Sequence, residues 1–142
     1  MEHTPMDGKD TTEMVRRFIN CINRHQVDAL CGLMTEDHVF VDALGTTVKG
    51  RETLRQGWTE YFRMFPDYQM VPGEMTGAGD IIGVFGTARG TYAPDGILKS
   101  ENHWEIPAAW KAVVHEGLVS EWRVYCNIET VVKIVEKSKI KK

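Results

Sequence analysis

Apolar residues recur at helical spacing in the first part of the chain and alternate with polar ones through the second. Met14, Phe18, Cys21 and Ile22 share one helical face, with Arg16, Arg17, Asn20 and Asn23 on the other, after a capping-type start at Asp10-Thr11-Thr12-Glu13. A short second helix is predicted from about Val27 to Met34, broken by Glu36-Asp37 and followed by a strand over Val39–Asp42. Lys49-Gly50-Arg51-Glu52 opens a third helix in which Leu54, Trp58, Tyr61, Phe62 and Phe65 keep the period, and Pro66 closes it. The rest reads as four strands, Tyr68–Met75, Ile81–Tyr92, Lys99–Val114 and Leu118–Asn127, with turns at Gly77-Ala78-Gly79-Asp80, Pro94-Asp95-Gly96 and His115-Glu116-Gly117. This order predicts an α+β domain, three N-terminal helices packed on one face of a curved antiparallel sheet. Gly83, Gly86 and Gly90 lie inside the second of these long strands, where glycines mark bends or close approaches. A sheet bent there is concave and incompletely covered, which predicts a pocket.

One position breaks the apolar pattern. In Val39-Phe40-Val41-Asp42-Ala43-Leu44-Gly45, alternation puts Asp42 on the same face as Phe40. A carboxylate beside an aromatic ring is costly unless it is hydrogen-bonded or lines a cavity. Asp42 therefore either caps the turn near Thr46-Thr47 or carries chemistry. In the second case an apolar wall of Phe18, Phe40 and Trp58 is expected to raise its pKa and make it a general base. His38, just ahead of the strand, reads as a surface or turn residue. The aromatics Phe18, Trp58, Tyr61, Phe62, Trp104 and Trp110 are expected to make core and an apolar pocket suited to a ring compound. Trp122 and Tyr125, on the last strand, are spaced so that at most one faces that pocket.

Composition narrows the classes. The chain has 142 residues, 42% hydrophobic and 26% charged, which fits one ordinary globular domain and excludes a disordered one. No apolar run approaches the roughly 20 residues that cross a bilayer, and Met1–Asp10 lacks an apolar signal core, so no membrane association is expected. Cys21, Cys31 and Cys126 are odd in number and form no CxxC pair, which predicts reduced thiols and a cytoplasmic protein. The five histidines are scattered, so no metal site is expected. The net charge of −3 is uneven: Lys133, Lys137, Lys139, Lys141 and Lys142 against Glu136 leave the body near −7. With no second basic patch, this reads as a solvated basic tail over 133–142 rather than a nucleic-acid surface. Residues 1–10 are expected to be disordered and 11–132 to form the domain.

Four segments in order carry a resemblance. They are Val39-Phe40-Val41-Asp42 with Gly45, then Gly50-Arg51-Glu52, Gly86-Thr87-Ala88-Arg89-Gly90-Thr91, and the terminal strand from Glu116 to Tyr125. Over roughly Thr11–Val132 the chain resembles the NTF2-like superfamily in its SnoaL-like and ketosteroid-isomerase-like branch. The resemblance implies a cone of helices on a curved sheet, a pocket that works without metal or cofactor, and dimerisation through the exposed sheet face. The isomerase's catalytic base falls on Asp42. Its oxyanion-hole tyrosine falls on Phe18 and its protonated aspartate near Trp110, neither of which supplies the same donor. The strand position where many SnoaL-like chains carry a histidine is Ala88.

Three functional readings follow. The first is a SnoaL-like domain binding a small hydrophobic metabolite, with cofactor-free isomerase or cyclase chemistry. Asp42 and His103 would be its catalytic groups, and Phe18, Phe40, Trp58, Phe62, Arg89, Asn102, Trp104 and Trp110 would bind the substrate. The alternative is a non-catalytic ligand- or protein-binding NTF2-like dimer. The third is epoxide or dehydration chemistry on an Asp–Arg–Asp relay that would use Asp42 and Arg89.

Overall fold

The structure, a computed structural model, describes residues 8–140. Its elements are α1 (Gly8–Asn23), α2 (Val27–Gly32), β1 (Met34–Val41), β2 (Thr47–Lys49), α3 (Arg51–Met64), β3 (Gln69–Ala78), β4 (Ile81–Thr91), β5 (His103–His115), β6 (Leu118–Cys126) and α4 (Glu129–Ile140), with a 3-10 turn at Ser100–Asn102. The sheet has six strands in the order β2-β1-β6-β5-β4-β3. All neighbours are antiparallel except β1 and β6, which run parallel.

This corrects the expected architecture in three places. The sheet is mixed rather than antiparallel, a second short strand, β2, joins the expected one between α2 and α3, and a fourth helix ends the chain where a basic tail was expected. Most boundaries also shift: Met34 opens β1 instead of closing α2, and Lys99–Asn102 is loop and 3-10 turn, so β5 starts at His103. Of the segment expected to be disordered, residues 8–10 begin α1 and the remainder lies outside the described residues, as do Lys141 and Lys142 of the tail.

Periodicity explains the packing. Met14, Val15, Phe18, Ile19 and Ile22 of α1 are buried, while Arg16, Arg17 and Asn20 are exposed. Along β5, Trp104, Ile106, Ala108, Trp110, Ala112 and Val114 are all buried on the inner face and the residues between them look outward. Asn23, placed above on the polar face of the helix, ties α1 to the edge strand. Its side-chain oxygen accepts from Met70 N at 2.8 Å and its amide donates to Met70 O at 2.9 Å, as a neighbouring strand would.

The bend expected from the glycines is present. The β3–β4 register slips between Pro72 and Glu74, leaving Gly73 as an extra residue opposite Gly86. A Cβ on Gly86 would collide with the Val71 carbonyl oxygen and sit 3.0 Å from Gly73 N. The backbone on the partner strand cannot yield to it. Among the described residues no helix is long and apolar enough to cross a membrane.

His38 is the main surprise of the core. It is fully buried rather than at the surface, its ring stacked 5.9 Å from Phe18. Nδ1 lies 2.6 Å from the carbonyl of Val119 and so carries the proton, while Nε2 has no partner. Burial lowers the pKa of the ring, opposed more weakly by the Val119 bond and the charges of Glu121 and Asp37. The native state therefore disfavours the imidazolium, and the unfolded chain takes the proton first. This contribution to stability is complete above the unfolded histidine pKa of about 6.5 and is lost as pH falls below it.

Two outcomes are expected. The melting temperature of the wild type should fall as pH drops from about 6.5 towards 5, and His38→Phe should flatten that limb, as scanning calorimetry over a pH series would read. Gly86→Ala should destabilise the domain by about 1–3 kcal/mol in a urea titration, whereas Gly32→Ala, with open space at its Cβ, should not show a clash cost.

Candidate functional site

Between the concave sheet and the helices lies a cavity of about 620 Å³. It exists because two inward positions of the sheet are small: Ala88 and Ala108 line it, and neither reaches across to α3. Trp58, Tyr61 and Met64 form the α3 wall, and Trp104, Trp110 and Trp122 stand on the sheet wall. Ile128 and, from α4, Val131, Val132 and Val135 close one side, with Glu136 and Lys139 from the same helix also at the lining. The tail read as solvated charge thus presents an apolar stripe to the cavity. Among the described residues no three His, Cys, Asp or Glu side chains are grouped to hold a metal ion.

Asp42 sits at the β1–β2 edge of this cavity, just past the end of β1. Its Oδ1 accepts from the amides of Leu44 and Thr46, both at 2.9 Å. Its backbone closes the same loop, with Asp42 N donating to Thr46 O and Gly45 N donating to Asp42 O, each at 3.0 Å. Gly45 adopts a φ of +84°, which only glycine takes without strain. The carboxylate is a turn cap through one oxygen. Oδ2 bonds to no described residue.

Aromatic rings run from that edge into the interior. Phe40 meets Trp58 at 5.9 Å, Trp58 meets Tyr61 at 6.0 Å, and Tyr61 meets Tyr68 at 5.1 Å, each pair close to perpendicular. Burial pushes the phenol of Tyr61 well above its ordinary pKa, and the neighbouring Tyr68 phenol and Cys126 thiol add to the effect. Tyr68 is raised in the same way by burial, with a further contribution from Cys126, and burial raises Cys126 itself. All three groups are neutral at physiological pH.

The sequence-derived site residues divide into two sets. Asp42, Phe40, Trp58, Trp104 and Trp110 line the cavity together. Phe18, Phe62, Arg89, Asn102 and His103 do not. Phe18 is buried behind the wall, against His38 and Trp122. Phe62 turns to the other side of α3, where His25 stacks on it at 4.0 Å. Arg89 is exposed on the outer face, in register with Gln69 and Glu105, so it cannot join Asp42 in a relay. Asn102 pins Tyr92, donating to its carbonyl from Nδ2 at 3.0 Å and accepting from its amide at 3.1 Å. His103 alternates with Trp104 and so faces out. Its Nδ1 lies 3.0 Å from Thr91 Oγ1, which gives its own proton to Asp67 Oδ2 at 2.7 Å, so His103 donates. Of Trp122 and Tyr125, only Trp122 reaches the cavity.

Tyr68, Tyr92, Cys126 and the α4 residues line the cavity without having been singled out for it. Alternation along β5 was signal enough to put His103 and Trp104 on opposite faces. Tyr68 carries no such signal, because it precedes the first residue of β3.

The pattern of the SnoaL-like domain matches residues 15–122. The chain belongs to the SnoaL-like domain family. No curated protein matches it. Solved structures similar to this SnoaL-like chain include a candidate SnoaL-like polyketide cyclase from Jannaschia sp. CCS1, 22% identical over 95% of this chain and 96% of that one, with a TM-score of 0.75. A protein of Catenulispora acidiphila DSM 44928 with a ketosteroid isomerase-like fold, in complex with trimethylamine, is 20% identical over 85% and 90% of the two chains, with a TM-score of 0.73. The epoxide hydrolase/cyclase-like enzyme SalBIII, of pyran ring formation in salinomycin, is 20% identical over 86% and 94%, with a TM-score of 0.74. At these identities the likenesses show the NTF2-like fold.

The turn-capping role of Asp42 has a direct consequence. Asp42→Asn keeps an oxygen that can accept both amide protons and should melt close to wild type. Asp42→Ala removes the acceptor and should cost about 1 kcal/mol, read by denaturant titration.

Proposed function

We propose that this SnoaL-like domain binds a small, largely apolar ring compound and performs cofactor-free acid/base chemistry on it, of the isomerase or cyclase type, with Asp42 as the base. The observation that carries the reading is the apolar cavity with the Asp42 carboxylate at its edge, one oxygen held by the loop and the other unclaimed. A volume of about 620 Å³ falls in the range of small-molecule sites. Family membership and the cyclase and isomerase-fold neighbours support the same class of chemistry.

Asp42 Oδ2 would take a proton from the carbon next to a ligand carbonyl, and the C–H electrons would move onto the carbonyl oxygen as an enolate. Returning the proton at another carbon isomerises the ligand; attack of the enolate carbon on a second carbonyl closes a ring, breaks that carbonyl's π bond and leaves an alkoxide that takes the proton back from Asp42. The loop amides fix the carboxylate, which limits the reorganisation it needs on reaction. The free thiols of Cys21, Cys31 and Cys126 suit a reducing compartment such as the cytoplasm. A row in register on the outer sheet face, Phe85, Ala109 and Tyr125, with Phe85 50% and Tyr125 47% exposed, suits a homodimer formed through the sheet.

One observation favours a second reading. A carboxylate engaged as a turn cap needs no catalytic role, and the domain would then be a non-catalytic binder.

Exchange of α-protons separates the two readings without the natural substrate. Wild type should speed deuterium uptake by 2-tetralone, followed by NMR, and Asp42→Asn should lose about a hundredfold or more of that acceleration. Acceleration that survives in Asp42→Asn, or none above buffer in either protein, leaves the binder.

A further inference from the structure

The cavity wall made by the end of α3 and the starts of β3 and β5 carries hydrogen-bond donors that the protein does not use. Tyr61 Oη and Tyr68 Oη bond to no described residue, while Trp104 Nε1 is buried without a partner and closed to the cavity. All three side chains line the cavity and cluster, Tyr61 with Tyr68 at 5.1 Å and Tyr68 with Trp104 at 6.1 Å between ring centroids. Tyr68 is 6% exposed and Trp104 4%. Native proteins pair nearly all their buried polar groups, so two idle phenols on one apolar wall require a reason.

We propose that Tyr61 and Tyr68 form an acceptor-binding pole, so that the ligand is an elongated ring compound with a carbonyl oxygen at the end remote from Asp42. This rests on the ligand-binding reading above and specifies its substrate class. The chain of rings Phe40, Trp58, Tyr61 and Tyr68 separates the pole from the Asp42 edge, so a ligand touching both spans more than one ring. Each phenol presents an O–H donor to the cavity, which suits an acceptor such as a carbonyl. Burial keeps both phenols protonated, so they donate across the whole physiological range.

The test compares 2-acetylnaphthalene with 2-ethylnaphthalene, probes of similar size that differ in the carbonyl oxygen, by calorimetric titration. Wild type should prefer the ketone by about tenfold or more, and Tyr61→Phe and Tyr68→Phe should each cut the preference about three- to tenfold. The infrared carbonyl band of the bound ketone should lie at lower frequency in wild type than in the double variant. Both single variants should melt with the wild type when empty, since neither hydroxyl has a protein partner. Equal binding of the two probes, or a ketone preference unchanged in the double variant, overturns the pole while cavity binding stands. Binding of neither probe overturns the proposed function and the pole with it.

Discussion

The carbonyl of Val71 rests against the bare α-carbon of Gly86, and the fold turns on that contact. Only glycine lets the two backbones come so close, and Gly73 enters β3 as the extra residue of a bulge at the same place. A bulge bends its strand and increases the local twist. The sheet curls around the helices, and the inner face becomes a concavity that one layer of helices cannot fill. Gly90 extends the effect: it leaves room for the Trp104 ring, whose nearest atom would lie 3.1 Å from a Cβ at that position. Backbone approach on one side of the sheet thus decides where large aromatic side chains lie on the other.

What fills the concavity follows from size. Indole and phenol rings stand around its rim, while Ala88 and Ala108 lie at its floor, so bulk is concentrated at the walls. In such surroundings each polar atom has an outsized effect, because apolar walls screen it poorly and an unpaired group loses its hydration without return. Asp42 avoids that penalty by lying at the edge and engaging two loop amides. His38 avoids most of it by staying neutral and giving Nδ1–H to Val119. The phenols of Tyr61 and Tyr68 avoid ionisation instead. The interior therefore holds polar groups that are neutral and donor-rich, with the carboxylate held at the boundary.

Much of this was legible in the sequence wherever one period dominated. The helical spacing of Leu54, Trp58, Tyr61 and Phe62, the strict alternation of β5 and the lone Asp42 after an apolar strand all pointed to the elements that hold the site. The failures have physical causes. β2 is three residues long and owes its existence to pairing with β1, which local propensity does not encode. His38 has the same parity as Phe40 and Asp42, so alternation points it inward, but its polarity argued for the surface and burial won because one backbone carbonyl satisfies it. Arg89 belongs to the right segment and the wrong face, and Asn102 lies in the 3-10 turn ahead of β5, where it holds Tyr92 instead of lining the cavity.

The C-terminal helix marks how far family membership constrains function. The match to the SnoaL-like pattern ends at residue 122, and α4 begins at Glu129. Residues beyond the match nevertheless contribute a full wall of the cavity, with Val131 only 7% exposed against it. Lysines dominate the outer side of this helix and hid its apolar stripe from any reading based on charge alone. The sheet, the loop after β1 and α3 place Asp42, Tyr61 and Tyr68 along the cavity. The size and shape of what is admitted depend equally on α4, a segment the family pattern does not describe. Two chains that share the pattern can therefore share the floor of the site and still differ in ligand.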